Sequence, residues 1–589
     1  MKRFTAAIAA TALCCLSIAQ APLAAQPQQL LDYDTIHHPV TDDEAMVVSQ
    51  NALSSRIGAQ IMAQGGNAVD AAVATAFALA VTLPRAGNLG GGGFMLVYLA
   101  EEDRTVAIDY RTAAPAAAEA KLFLDRKGRR EDNADYGHMA AAVPGTVAGM
   151  KLAHERWGSL PWEEVVQPAV ELARDGIVVT RDLSEALRWG RKRLESSDAA
   201  IATFFKPDGS PYMYGETLKQ PELAWTLERI ATAGADDFYR GEIAQRIVAD
   251  MEAQGGLIAM SDLAAYEAKL REPIATDYRG LNVVTMPPAS SGGVALLQML
   301  NMLEGFNLKA MGHNSASTVH ILSEAMKLAY ADRRMSMGDP DFVNNPVDVL
   351  ISKAYAEERS KQISRGQSSP PEAISPFDPF AHESPDTTHF SIVDRQGNVV
   401  SNTYTLGSSF GSGTLVAGAG FLLDNQIKNF SLRTNVPGAT FSNSEMNKIA
   451  PGKRMMSSMT PTIVFRDGKP FLVVGSPGGS SIINTVLQIV LNVADHDMNV
   501  AEATFAPRLH QNWKPSALEL EPGFNPDSLG VLQSLGHEIE LRDTIGSAQV
   551  IMLDGGKVLG AADPRRPGSG AVGVGNLRIE ARETAAALP

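Results

Sequence analysis

The chain has 589 residues, 45% of them hydrophobic and 20% charged, which excludes a polar disordered tail or a fibrous repeat and allows a large buried core. Acidic residues outnumber Lys and Arg by 66 to 51, a formal net charge of -15, so a broad basic surface for nucleic acid is excluded too. The first predicted element is residues 1–25. They open with Lys2 and Arg3, run through an apolar stretch from Ala6 to Ile18 and end on Ala24 and Ala25, the layout of a secretory signal removed near Ala25. Its apolar part is shorter than the ~20 residues of a membrane span, and no later run reaches that length. The mature chain is expected to begin near residue 26, to be periplasmic or secreted, and to have neither a membrane span nor a nucleic-acid partner. Cys14 and Cys15 leave with the signal, which removes disulfides, thiol catalysis and zinc–cysteine sites.

Ser54 to Leu83 carries small and apolar residues at helical spacing, broken at Gly65-Gly66, and predicts two packed helices stopped by Pro84. The run Leu89-Gly90-Gly91-Gly92-Gly93-Phe94 then enters a strand at Met95–Leu99. No Lys-Ser/Thr follows these glycines and they precede a strand rather than a helix, so they indicate close backbone packing instead of a phosphate cradle. Helical patterns dominate from Val147 to about Tyr266, and a long helix covers Ser317 to Ser336 with Ser315 or Ser317 as its cap. His320 and Glu324 stand four apart on it. Without a third ligand in an HExxH frame they read as a structural polar pair, and no metal or organic cofactor is expected. Residues 364–386 carry five prolines among serines and acids and read as an exposed linker.

A strand led by Thr387 follows this linker directly. If the chain were cut between Asp386 and Thr387, the new terminus would put an α-amine, with a pKa near about 8, beside a threonine hydroxyl, and one residue would supply both nucleophile and base. Strands 387–394 and 399–406 flank Arg395-Gln396-Gly397-Asn398, a turn-forming cluster, and should pair antiparallel. Folding them about that turn puts Thr387 opposite Thr405 or Leu406, and cross-strand neighbours lie within about 5.5 Å, close enough for the Thr405 hydroxyl to orient that of Thr387. A second hairpin, Pro461–Phe465 with Phe471–Val474, leads into Gly475-Ser476-Pro477-Gly478-Gly479 and an apolar helix from Ile482 to Val493. Backbone N–H groups of such a strand–turn–helix corner suit an oxyanion. A competing serine-hydrolase reading takes Ser409 of Gly407-Ser408-Ser409-Phe410-Gly411 as a G-x-S-x-G nucleophile, which requires a strand-to-helix elbow.

Taken together, Gly65 to Ala72, Leu89 to Met95, Asp109-Tyr110-Arg111, Val143-Pro144-Gly145, Glu324 to Lys327, Gly338-Asp339-Pro340, Thr387 to Ser391, Ser457-Ser458-Met459 and Gly475 to Gly479 resemble the γ-glutamyltransferase (glutathione hydrolase) family of the N-terminal-nucleophile hydrolase superfamily, over nearly the whole mature chain. The resemblance implies an α+β fold, a four-layer αββα sandwich, built after self-cleavage from a large subunit, residues 26–386, and a small subunit, residues 387–589. It implies that Thr387 attacks the γ-carbonyl of glutathione or another γ-glutamyl compound, that Thr405 positions its hydroxyl, and that the Gly478 and Gly479 amides hold the oxyanion. Water, an amino acid or a peptide then accepts the glutamyl group. Arg111, Ser457 and Ser458 match the grip on the donor α-carboxylate, a task for which a guanidinium's planar fork is suited.

The pattern breaks at the pocket for the donor α-amine. Gly407 stands where the family usually has an asparagine, and Asn429 where it has an aspartate, while Gln426 is kept. An amide in place of a carboxylate loses a charge-assisted partner for an ammonium, and Lys428 adds a like charge beside it. A related acylase with relaxed, glutaryl-type donor specificity is therefore the alternative, and a binding protein that has lost turnover is a further one. Val436 to Lys448 aligns with the family's lid loop without its usual tyrosine.

Overall fold

The computed structural model describes residues 35–374, 387–432 and 445–586. The expected signal peptide, Asp386 and most of the lid-loop segment lie outside the described residues. The chain divides into Met1–His38 and the compact unit Pro39–Pro589. In the latter, fourteen strands build two sheets of seven: β1 Val40–Asp42, β2 Met46–Ser49, β3 Gly92–Leu99, β4 Arg104–Tyr110, β5 Lys269–Arg271, β6 Ile274–Tyr278, β7 Leu281–Thr285, β8 Thr388–Val393, β9 Val399–Thr405, β10 Thr462–Arg466, β11 Lys469–Val474, β12 Gln549–Asp554, β13 Lys557–Ala562 and β14 Gly570–Gly573. Pairing is antiparallel throughout, in the orders β1-β13-β12-β11-β10-β7-β6 and β14-β2-β8-β9-β3-β4-β5.

Side chains alternate across each strand, and the central strands of both sheets carry apolar residues on both faces, so they feed two cores. On β3, Met95 and Val97 pack with helices α1 Ala52–Ala63 and α2 Ala68–Thr82, while Phe94, Leu96 and Tyr98 turn into the space between the sheets. There they meet Ile463, Val473 and Ile551 of the other sheet, whose opposite face sends Val464, Leu472 and Val550 against helices α3 Gly292–Leu303, α4 Ala316–Ser336 and α5 Ser481–Ala494. The layers are helix, sheet, sheet, helix, as the resemblance implies.

The predicted helix pair is α1 and α2. Asn67 and Asp70 close a capping box at the start of α2, and every residue of α2 is buried, as an all-round apolar helix requires. Ser315, one of the two expected caps, accepts from Thr318 N–H to start α4. The glycine run before β3 is a packing feature: a Cβ on Gly90, Gly91, Gly92 or Gly93 would come within 2.2, 2.2, 2.5 and 2.4 Å of the carbonyl oxygens of Leu422, Thr405, Tyr110 and Thr403. Among the described residues, no helix is long and apolar enough to cross a membrane.

Candidate active site

Register decides the site. Thr388 pairs with Tyr404 and Val393 with Val399, so Thr387 stands opposite Thr405, the first of the two expected partners. Thr387 is buried, and its Oγ1 donates to Thr405 Oγ1 at 3.3 Å. Thr405 Oγ1 also accepts the Gly407 N–H at 2.8 Å, and its backbone oxygen accepts from Gln426 Nε2 at 3.2 Å. Thr387, His389 and Ser391 share the face of β8 turned toward the other sheet. His389 is no base for Thr387: its ring nitrogens meet Thr403 Oγ1 at 2.8 Å and Ser391 Oγ at 3.1 Å, and burial pulls its pKa down to about 3.

A small recess is lined by Arg111, Thr387, Thr405, Gly407, Asn429, Ser457, Ser458 and Gly479, among others. It brings together most of the predicted site. Arg111 follows β4 directly, and its Nε and Nη2 donate to the carbonyls of Met455 and Met456, the residues leading into Ser457. Ser457 Oγ accepts the Met459 N–H at 3.1 Å, and Ser458 Oγ donates to Gly479 O at 2.6 Å, which ties the serine pair to the glycine turn. The Gly478 and Gly479 N–H groups meet no acceptor among the described residues. The turn sits where β11 gives way to α5, with φ of 138° at Gly478 and 58° at Gly479, a conformation that favours glycine.

The side of the recess expected to receive a donor α-amine holds the departures. A Cβ at Gly407 would lie 2.2 Å from Asn425 Oδ1, and φ there is 93°, so glycine is required and the space beside it is taken by Asn425. Asn425 in turn accepts from Ser408 N–H and donates to Asp135. Lys428 does not crowd the recess: its ammonium pairs with Asp135 Oδ1 at 2.9 Å and donates to Ser408 Oγ, and burial lowers its pKa to about 8. Asn429 Oδ1 and Gln426 Oε1 are buried acceptors without a donor among the described residues. Among the described residues, Arg111 is the one charged residue lining the recess.

Sequence reasoning missed Asn425 and Asn447. Asn447 Nδ2 donates to Asn429 O at 2.7 Å while its Oδ1 accepts from Met456 N–H at 2.9 Å, so it joins the amine side to the Arg111 side. No local pattern marks either residue, because their partners are distant in sequence. Ser409 is buried in a turn that no helix follows, so the strand-to-helix elbow its nucleophile reading requires is absent.

The His320–Glu324 pair needs a correction: a third potential ligand, His537, approaches it, with His320 Nδ1 and His537 Nε2 2.7 Å apart. The ammonium of Lys327 lies 2.7 Å from Glu324 Oε1, 2.6 Å from Ser368 Oγ and 3.0 Å from Ser369 O, so Glu324 already has a cationic partner, in keeping with a structural role. The cluster also corrects the linker. Residues 364–367 are exposed as expected, but Ser364 O contacts His320 Nε2 and Ser369 N donates to Glu324, so the segment is pinned where it starts.

The family model described as Gamma-glutamyltranspeptidase matches residues 54–573. The "Glutathione hydrolase proenzyme" of Escherichia coli K12 is 47% identical over 555 residues, covering 94% of this chain and 95% of its own. The "Acylase ACY 1 proenzyme" of Pseudomonas sp. strain SE83 is 38% identical over 568 residues, with 94% and 98% covered. Among solved structures, cephalosporin acylase from Bacillus halodurans superposes with a TM-score of 0.82 at 29% identity, over 93% of this chain and 99% of that one.

Proposed function

The chain belongs to the gamma-glutamyltranspeptidase family, and from that premise we propose how its residues work as a γ-glutamyltransferase and glutathione hydrolase. The observation that carries the reading is the in-register Thr387–Thr405 hydroxyl pair, set in one recess with Arg111 and the glycine turn. The precursor, exported by its N-terminal signal, cleaves itself between Asp386 and Thr387 into a large and a small subunit. The freed Thr387 amine, with a pKa near about 8, takes the hydroxyl proton as Oγ1 attacks the donor's γ-carbonyl. The Gly478 and Gly479 N–H groups receive the developing oxyanion, and Thr405 keeps the hydroxyl aimed. The protonated amine then gives its proton to the departing amine. Water, an amino acid or a peptide attacks the resulting ester, restoring Thr387. Arg111, with Ser457 and Ser458, grips the donor α-carboxylate. Intact mass spectrometry of the protein beside Thr387→Ala tests this: two chains meeting at Asp386/Thr387 in the wild type and one in the variant are expected. A wild type that stays one chain has no free Thr387 amine, and the turnover-free binding protein replaces this reading.

A second reading, an acylase of relaxed donor specificity, is favoured by one observation: the described residues lining the recess include the cation Arg111 but no carboxylate. An α-carboxylate finds a charged partner there, whereas an α-ammonium finds the Asn429 carbonyl dipole. Glutaryl donors, which keep the carboxylate and lack the amine, are therefore expected as substrates. Paired γ-glutamyl, glutaryl and α-decarboxylated anilides decide: the idea fails if removing the amine lowers kcat/KM as far as removing the carboxylate.

A further inference from the structure

We propose that the hydroxyls of Ser476 and Ser481 aim the two oxyanion amides and are positioning residues for acyl transfer. The inference rests on the reading of Thr387 as nucleophile. A trans peptide is planar, with N–H and C=O pointing opposite ways, so an amide N–H points where the carbonyl of the preceding residue does not. The Gly478 N–H is thus set by whatever holds the Pro477 carbonyl, and the Gly479 N–H by whatever holds the Gly478 carbonyl. Glycine cannot supply that restraint, since both glycines have positive φ and the widest choice of backbone angles.

The structure supplies it from side chains. Ser476 Oγ donates to Pro477 O at 2.7 Å, and Ser481 Oγ donates to Gly478 O at 2.8 Å. The next two carbonyls are treated alike: Gly479 O accepts from Ser458 Oγ at 2.6 Å, and Ser480 O accepts from the Tyr330 hydroxyl. Four consecutive carbonyls each receive a hydroxyl from a different residue, which turns their peptide N–H groups the other way. Ser476 is itself held: it is fully buried, and its Oγ accepts the Ser547 N–H at 3.0 Å, which leaves its proton for Pro477. Gly478 O has a second donor, the Ser481 N–H at 3.1 Å, so Ser476 should matter more than Ser481.

The test uses the processed enzyme, with rates normalised to titrated Thr387. Ser476→Ala is expected to slow single-turnover acylation by about 10- to 100-fold, less than the ~10²–10³-fold loss from deleting an oxyanion donor outright. The Ki of L-glutamate, which carries the donor's α-carboxylate but no scissile bond, stays within about twofold. Affinity for a boronic acid with boron at the scissile carbon, which becomes tetrahedral on Thr387, falls in step with the acylation rate. Ser481→Ala shows the same split to a smaller degree, and Ser481→Thr, which keeps the hydroxyl, restores it. Because Ser481 is part-exposed at the first position of α5, its alanine variant carries the test if Ser476→Ala is not processed. Unchanged acylation, or an equal loss of glutamate and boronate affinity, overturns the inference. Turnover surviving in Thr387→Ala would instead overturn the reading beneath it.

Discussion

Gly407 and Asn429 are where one residue decides chemistry. Gly407 combines a φ of 93° with a carbonyl oxygen, Asn425 Oδ1, 2.2 Å from where its Cβ would be, and its N–H holds Thr405 Oγ1. Gly407→Ala should therefore cost about 1–3 kcal/mol of stability through backbone strain, read as a lower denaturation midpoint, and should also reduce kcat by loosening Thr405. Asn429→Asp acts differently. It would place a carboxylate where Asn429 Oδ1 now lacks a donor, and hydrogen bonds to charged groups contribute about 1.5–3 kcal/mol. The ratio of kcat/KM for γ-glutamyl over glutaryl anilides should rise by roughly 10-fold; a ratio that stays flat would show that this position does not read the amine. The sequence exposed both departures, because a missing charge is visible in the residue type. It could not show that Asn425 fills the space beside Gly407, since that depends on a turn conformation eighteen residues away.

Among elements, the β8–β9 hairpin was the most legible. Its turn residues narrow the partner of Thr387 to Thr405 or Leu406 without knowledge of the rest of the fold, and the observed pairing of Thr388 with Tyr404 selects Thr405. The two seven-stranded sheets were not legible in that way, because β2, β8 and β14 pair across hundreds of residues and buried strands on both faces show no alternation. The polar cluster on α4 was half legible. Helical spacing put His320 and Glu324 on one face, whereas His537 and the carbonyls of Ser364 and Ser369 arrive from other segments. This cluster anchors the proline-rich segment that precedes Thr387, together with Ser368 N–H on Leu535 O and Trp513 Nε1 on Pro371 O. Lys327 and Glu324 are each only 2% exposed, and removing one partner of a buried ion pair costs about 3–5 kcal/mol. Lys327→Met should lower the melting temperature markedly, while Glu324→Leu with Lys327→Met should lower it less, since no buried charge is then stranded. Equal losses in the two proteins would assign Lys327 no role in balancing Glu324.

For the molecule as a whole, burial of histidine sets the acid limit of stability. Burial holds His389 at about 3 and His537 and His313 at about 4, against about 6.5 when exposed. Between pH 6.5 and 4 the unfolded chain binds protons that the folded chain refuses, so stability falls as pH drops through that window. Asp424 works the other way. Burial raises it to about 8, so the unfolded chain alone ionises from about pH 4 upward, and stability declines toward pH 8. Carboxylates that bound cations hold below their ordinary value, such as Asp341 beside Arg271 and Lys269, lose their contribution only below about pH 4 and leave the higher window to the histidines. Thermal melts of the processed protein should therefore show the midpoint falling already from pH 6.5 to 4.5, where the three buried histidines outweigh the opposite effect of Asp424 and the cation-paired carboxylates are still ionised in the folded state. His537→Gln keeps an N–H for His320 Nδ1 and cannot titrate, so it should flatten that limb. A midpoint that is constant down to pH 4.5, or an unchanged slope in His537→Gln, would mean that these rings take up protons in the folded protein and that burial does not keep them neutral.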